Sequence, residues 1–139
     1  MRACNLALIV HGGIVLMLSQ AAGYAFFHAL RHAGEERVAM WRMSHAASSA
    51  GAILLIAVGP VVPQLSLSPT LEAALADLWI GATYALCVGT IVAAVSGSRG
   101  RNADRPWSNR AVYVLYVAGA LGSTFATLLL VYAAARAYV

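Results

Sequence analysis

Apolar residues run through the chain in four long stretches, with the polar residues gathered between them. Residues 5–30 are broken only by mildly polar side chains such as His11, Ser19, Gln20 and His28. Residues 31–37 then read Arg-His-Ala-Gly-Glu-Glu-Arg, a polar connection. The second stretch, residues 38–65, carries Pro60 and Pro63 near its end, where proline terminates or kinks a helix. After Gln64-Leu65-Ser66-Leu67 the chain restarts at Ser68-Pro69, an N-cap followed by proline at the first helical position. Glu72 falls in that first turn, where the helix dipole favours an anion. This third stretch reaches residue 98, and residues 97–106 form a loop rich in glycine and arginine. Asn109-Arg110 opens the fourth, which runs to residue 139. Crossing the hydrocarbon core takes about 20 apolar residues, so each stretch is long enough. The pattern predicts an all-α integral membrane protein: one transmembrane domain over residues 1–139, a four-helix bundle with spans at about 5–30, 38–65, 69–98 and 109–139. No internal repeat, low-complexity tract or linker interrupts it.

Composition agrees. Of 139 residues, 61% are hydrophobic and 10% charged, against roughly 25% charged in a soluble domain. Too little polar surface remains to cover a globule in water. The net charge of +4 comes from arginine alone, because the sequence has no lysine. Those arginines sit in short loops between apolar stretches, which is membrane topology and argues against nucleic acid as a partner. Cys87 falls inside a span, far from Cys4, so no disulfide framework is expected. The first stretch is too long for a signal peptide and lacks a small-residue cleavage site, so it reads as a helix. Arg31, Arg37, Arg42, Arg99, Arg101, Arg105 and Arg110 lie on one side, and Arg2 and Arg136 on the other. The positive-inside rule therefore puts the connections at 31–42 and 99–110 in the cytoplasm and both termini outside.

Small residues recur every fourth position, a spacing that lets helix backbones approach closely in lipid. Ser44, Ser48 and Ala52 form such a stripe. So do Gly81, Ala85, Gly89 and Ala93 on the third span, and Gly119, Ser123 and Thr127 on the fourth. Packing within the bundle uses most of them. Four helices bury little interior, so some can serve a homo-oligomer.

Ionisable groups inside a membrane are costly and mark functional sites by default. Here they are His11, His28, His45 and Asp77, with Tyr84 as a polar-tipped aromatic beside them. His28 and His45 share a leaflet, whereas His11 lies near the opposite face. His28 and His32 are four apart and share a helix face if the first helix continues. A metal cluster of His28, His32 and His45 supported by Glu35 or Glu36 is therefore geometrically open, although no compact metal signature stands behind it. His45 is the sharper case, because its neighbours in Met43-Ser44-His45-Ala46-Ala47-Ser48-Ser49 are small enough for a large flat cofactor to approach. A neutral imidazole is a standard axial ligand of haem iron. The alternative is a histidine hydrogen-bonded to a neighbouring helix or a headgroup.

These segments together resemble the styrene oxide isomerases over most of the chain. Val10-His11-Gly12-Gly13-Ile14-Val15-Leu16-Met17 is similar to the family's opening His-Gly and apolar run. Arg42-Met43-Ser44-His45, with trailing small residues, Gly51-Ala52, Pro60 and Pro63, is similar to its Arg-x-x-His segment. Asp77-Leu78-Trp79 and Tyr84 lie near its Asp-Gly-Trp and tyrosine, and Ser108-Asn109-Arg110 resembles its closing Asn-Arg step. The resemblance implies a trimer in a bacterial inner membrane, holding haem b near subunit interfaces with His45 as the axial ligand of the iron. It further implies that ferric iron acts as a Lewis acid on a small hydrophobic epoxide, and that a 1,2-hydride shift gives the aldehyde. Tyr84 would hydrogen-bond the epoxide oxygen. The chain departs from the pattern in two places. Gly51 stands where the family has an asparagine, for which Ser48 and Ser49 on nearby faces are the substitutes. Tyr84 is displaced by one position relative to Trp79, a turn of about 100° on a helix. Three functions remain in play: the haem isomerase, a haem-binding sensor, carrier or electron-transfer protein, and a cofactor-free accessory subunit. Electron transfer would be marked by His28 opposite His45.

Overall fold

A computed structural model describes residues 3–101, 103 and 106–138. Among them are four helices and no strand: α1 (Ala3–His32), α2 (Glu35–Val58), α3 (Pro69–Ser96) and α4 (Trp107–Tyr138). Each packs against its neighbour in sequence, and α1 also packs on α3. Arg2 and Arg105, two of the arginines behind the topology argument, lie outside the described residues.

Local chemistry sets the helix ends. α2 stops at Val58, earlier than the expected 65, and Val62–Leu65 form one 3-10 turn instead. Pro60 and Pro63 are the reason, since neither has an N–H to extend the ladder. Ser66 takes a left-handed conformation, φ 51°, to finish the reversal. Ser68 then accepts the Leu71 N–H as N-cap with Pro69 behind it, and Gly97 at φ 73° closes α3. The longer connection is stitched by the Ser98 and Ser108 hydroxyls, 2.7 Å apart, and by Gly100 N–H donating to Asn109 Oδ1.

α1, α3 and α4 are each long and apolar enough to cross a membrane, with mean hydropathy of 1.7 to 2.0 over their most apolar stretches. α2 falls short of that, so the sequence pattern overstated how uniform the four helices are. The first half of α2 contains Arg42, Ser44, His45, Ser48 and Ser49, and its second half is aliphatic. Ser44 and Ser48 are fully buried, facing α3, where Thr90 Oγ1 donates to Ser44 Oγ and Ser48 Oγ donates to Cys87 Sγ. The small-residue stripe of α2 is therefore internal. The same holds for Gly119, which seats Leu86, whereas Gly81 and Thr127 are exposed. Large apolar side chains cover the outside, among them Met17, Ile53, Leu121, Phe125, Leu128 and Val131, as lipid contact requires.

Gly12 is the tightest point between α1 and α2. A Cβ there would lie 2.7 Å from Ile56 Cγ1 and 3.0 Å from the Ala52 carbonyl oxygen. Gly12→Ala therefore forces the two backbones apart. The expected cost is about 1–3 kcal/mol, seen as a lower Tm in detergent; an unchanged Tm would show that the pair does not close there.

Candidate functional site

His45 projects from the polar half of α2 into the seam with α1. A Cβ on Gly23 would stand 3.0 Å from its Nδ1 and 3.1 Å from Cε1, so the imidazole occupies the space this glycine leaves. One turn away, Ser19 is completely buried and works twice. Its carbonyl lies 2.8 Å from His45 Nδ1, and its hydroxyl donates to the His45 carbonyl at 2.9 Å. Ser49 Oγ is 2.6 Å from Ser19 Oγ.

Donor and acceptor counting fixes this network. A carbonyl only accepts, so the 2.8 Å contact requires a proton on His45 Nδ1. A neutral imidazole has one N–H, which leaves the lone pair on Nε2. Ser19 spends its hydroxyl hydrogen on the His45 carbonyl, and Ser49 then donates to Ser19 Oγ. Among the described residues Nε2 has no hydrogen-bond partner. Metal-bound histidines are held in this way, with the second nitrogen donating to a backbone carbonyl that fixes tautomer and ring orientation. Ala46 beside it is exposed and ends at Cβ. By its donor chemistry, His45 Nε2 would suit an iron porphyrin.

The remaining candidates are dispersed. Ser48 belongs to the contact between α2 and α3 through Cys87. Tyr84, in the middle of α3, meets His11 of α1, with its hydroxyl 3.1 Å from Nδ1 and the rings edge-on at 86°. The neighbouring Thr83 packs on Gly51, six residues along α2 from His45, which is about 9 Å of helix. His45 and the Tyr84–His11 pair thus occupy different levels of one bundle. His28 and His32 are exposed at the loop end of α1, their ring centroids 4.6 Å apart, and Asp77 is exposed. No group of three metal-ligating side chains converges among the described residues. The cluster of His28, His32 and His45 with Glu35 or Glu36 therefore does not form, because His45 is turned into the seam with Ser19. Glu36 is instead paired with Arg99 at 2.6 Å.

Gly51 sits on the other side of α2, at an apolar cavity of about 360 Å³ lined by Ala47, Leu54, Trp79 and Thr83 among others. A Cβ on Gly51 would come within 2.8 Å of Thr83 Cγ2. An asparagine there would require the Thr83 side chain to shift. Ser19 and Gly23 escaped the sequence reading, although they show the four-residue small-residue spacing noted on the other helices. His11 was noted without a partner.

A small helical membrane protein with one tautomer-locked imidazole between two helices is the class that fold and site define. The chain belongs to the styrene oxide isomerase family, which it matches over residues 4–135. No individual curated protein matches it.

Gly23→Ala places a methyl where the His45 ring now lies. The expected loss is about 1–3 kcal/mol, measured as a fall in Tm, with Ser19→Ala costing about 1 kcal/mol through its hydroxyl bonds. If Gly23→Ala leaves Tm unchanged, the imidazole is not seated on α1.

Proposed function

We propose that the protein is a haem b-dependent membrane isomerase that converts a small hydrophobic, aryl-substituted epoxide into the aldehyde. The observation that carries this reading is the Nδ1–H of His45 donating to the Ser19 carbonyl at 2.8 Å, which leaves Nε2 as a fixed ligand. Family membership supports the same reaction. A ferric haem, when bound, supplies a Lewis acid toward the epoxide oxygen.

The chain's own residues have three tasks. His45 holds the cofactor, with Ser19 and Ser49 fixing its ring. Tyr84 donates a hydrogen bond to the epoxide oxygen as charge builds on it. The apolar walls of α1, α2 and α3 exclude water, which would otherwise trap the opened ring as a diol. In the substrate, the C–O bond to the aryl-bearing carbon breaks, and a hydride moves to that carbon from its neighbour. The neighbour becomes the carbonyl carbon, so no electrons or atoms are gained or lost. In this reading Ser48 serves packing through Cys87, and Ser49 serves through Ser19.

α2 crosses the bilayer with the other three helices, its polar half shielded by α1 and α3. The arginine-rich connections face the cytoplasm and the termini face outward. Homotrimers would bring the exposed small-residue faces of α3 and α4 together.

The absorption spectrum of the purified protein tests the reading. Wild type should show a Soret band that His45→Ala loses. Tyr84→Phe should keep the band and lose on the order of a hundredfold in styrene oxide turnover. A colourless wild type after haem is supplied during expression overturns the reading, and full turnover by Tyr84→Phe removes the tyrosine from it.

A further inference from the structure

His11 is an ionisable side chain inside an apolar helix, and the reaction as described leaves it without a task. Its cost in the membrane calls for a partner, and the structure supplies one: Tyr84, at 3.1 Å across the α1–α3 seam. The adjoining Gly12 closes α1 onto α2, so His11 is turned toward α3 at a point where the backbone is fixed. The edge-on rings, with centroids 5.6 Å apart, leave the contact between Nδ1 and the phenol oxygen as the polar link between them.

Two tautomers satisfy this contact, with opposite consequences. If Nδ1 accepts, the Tyr84 hydrogen is consumed within the pair and Nε2–H is left as an unpaired donor. If Nδ1–H donates, the phenol oxygen is the acceptor, Nε2 is an unpaired acceptor, and the Tyr84 O–H is free. Among the described residues neither Nε2 nor the phenol has a second partner. Each arrangement leaves one donor and one acceptor without a partner, the spare donor being His11 Nε2–H in the first and the Tyr84 O–H in the second. An epoxide oxygen accepts hydrogen bonds and donates none. The isomerase reading gives that oxygen the Tyr84 O–H, which is free only in the second arrangement.

We infer that His11 is a positioning residue for the isomerisation: its Nδ1–H holds the phenol oxygen of Tyr84, so that the Tyr84 hydroxyl is presented as a donor to the epoxide oxygen. This rests on the isomerase reading above. His11 touches neither cofactor nor substrate and acts through Tyr84.

Variants at position 11 and the ring nitrogens of His11 test it. Asparagine places an amide N–H close to where Nδ1–H stood, and glutamine places one near Nε2. The expected result is that His11→Leu and His11→Gln each lose on the order of tenfold in kcat, the worth of one hydrogen bond. KM and the Soret band should stay unchanged, and His11→Asn should recover most of the loss. His11→Leu combined with Tyr84→Phe should be no slower than Tyr84→Phe alone. Nitrogen-15 NMR of histidine-labelled protein should show the Nδ1–H tautomer at His11, with a signal that shifts in Tyr84→Phe. An Nε2–H tautomer, additive losses in the double variant, or equal activity of the Leu, Gln and Asn variants overturns the inference. A wild type without isomerase activity overturns the isomerase reading itself, whereas an active wild type indifferent to position 11 overturns only the role of His11.

Discussion

Half of α2 is too polar to face lipid, and the rest of the bundle is arranged around that constraint. Arg42, Ser44, His45, Ser48 and Ser49 lie within eight consecutive positions of one helix. Hydrocarbon offers their hydrogen-bonding groups nothing, and each unmatched group costs several kcal/mol. The buried ones must therefore be met by neighbouring helices. α3 meets Ser44 and Ser48 with Thr90 and Cys87, and α1 meets His45 and Ser49 with a single serine. Interhelical bonds of this kind are individually weak in membranes, averaging about 0.6 kcal/mol. What they specify is which face of α2 turns inward. That choice fixes where the imidazole goes.

Bonds this short also require the helices to be close. Gly12, Gly23 and Gly59 on the α1–α2 seam, and Gly119 on the α3–α4 seam, supply that proximity, since a Cβ at each would meet a neighbour at 3.0 Å or less. Glycine is costly in an isolated helix, by roughly 1 kcal/mol against alanine, so each one exchanges local preference for approach. Gly23 does more than permit contact, because the space it vacates is filled by the flat of an imidazole. Helix packing and the placing of the imidazole are here the same feature.

Fold class, helix count and the Ser68-Pro69 cap were all legible in the sequence, because each is written in local chemistry. Hydropathy reports length, and proline and serine report a helix start. The end of α2 was misplaced by about two turns, because apolar content continues through Pro60 and Pro63 while the hydrogen-bond ladder does not. The partners were the illegible part. Nothing in the sequence ties Ser19 to His45 or His11 to Tyr84, since those pairings depend on how each helix is rotated about its own axis. Hydropathy carries little of that information when every face is apolar. The chain shared by two helices and the placement of Ser48 toward Cys87 instead of toward His45 were settled only by rotation.

The division of the bundle into levels bears on how so few residues could run a reaction. At one level a histidine gives its only N–H to a backbone carbonyl, leaving a lone pair. At the other, about 9 Å along α2, a phenol and an imidazole share a single bond between them. Among the described residues, the first leaves one acceptor without a partner, and the second leaves one donor and one acceptor. In water such atoms would be capped by solvent. Inside an apolar bundle an unmatched polar atom costs about 1–3 kcal/mol when buried, a cost that a group of matching chemistry would remove. A metal centre matches the first, and an oxygen that only accepts can match the second. Under the proposed isomerisation, the same dryness that makes these groups expensive would keep an opened epoxide from water, so a membrane interior would suit a rearrangement that must neither gain nor lose an atom.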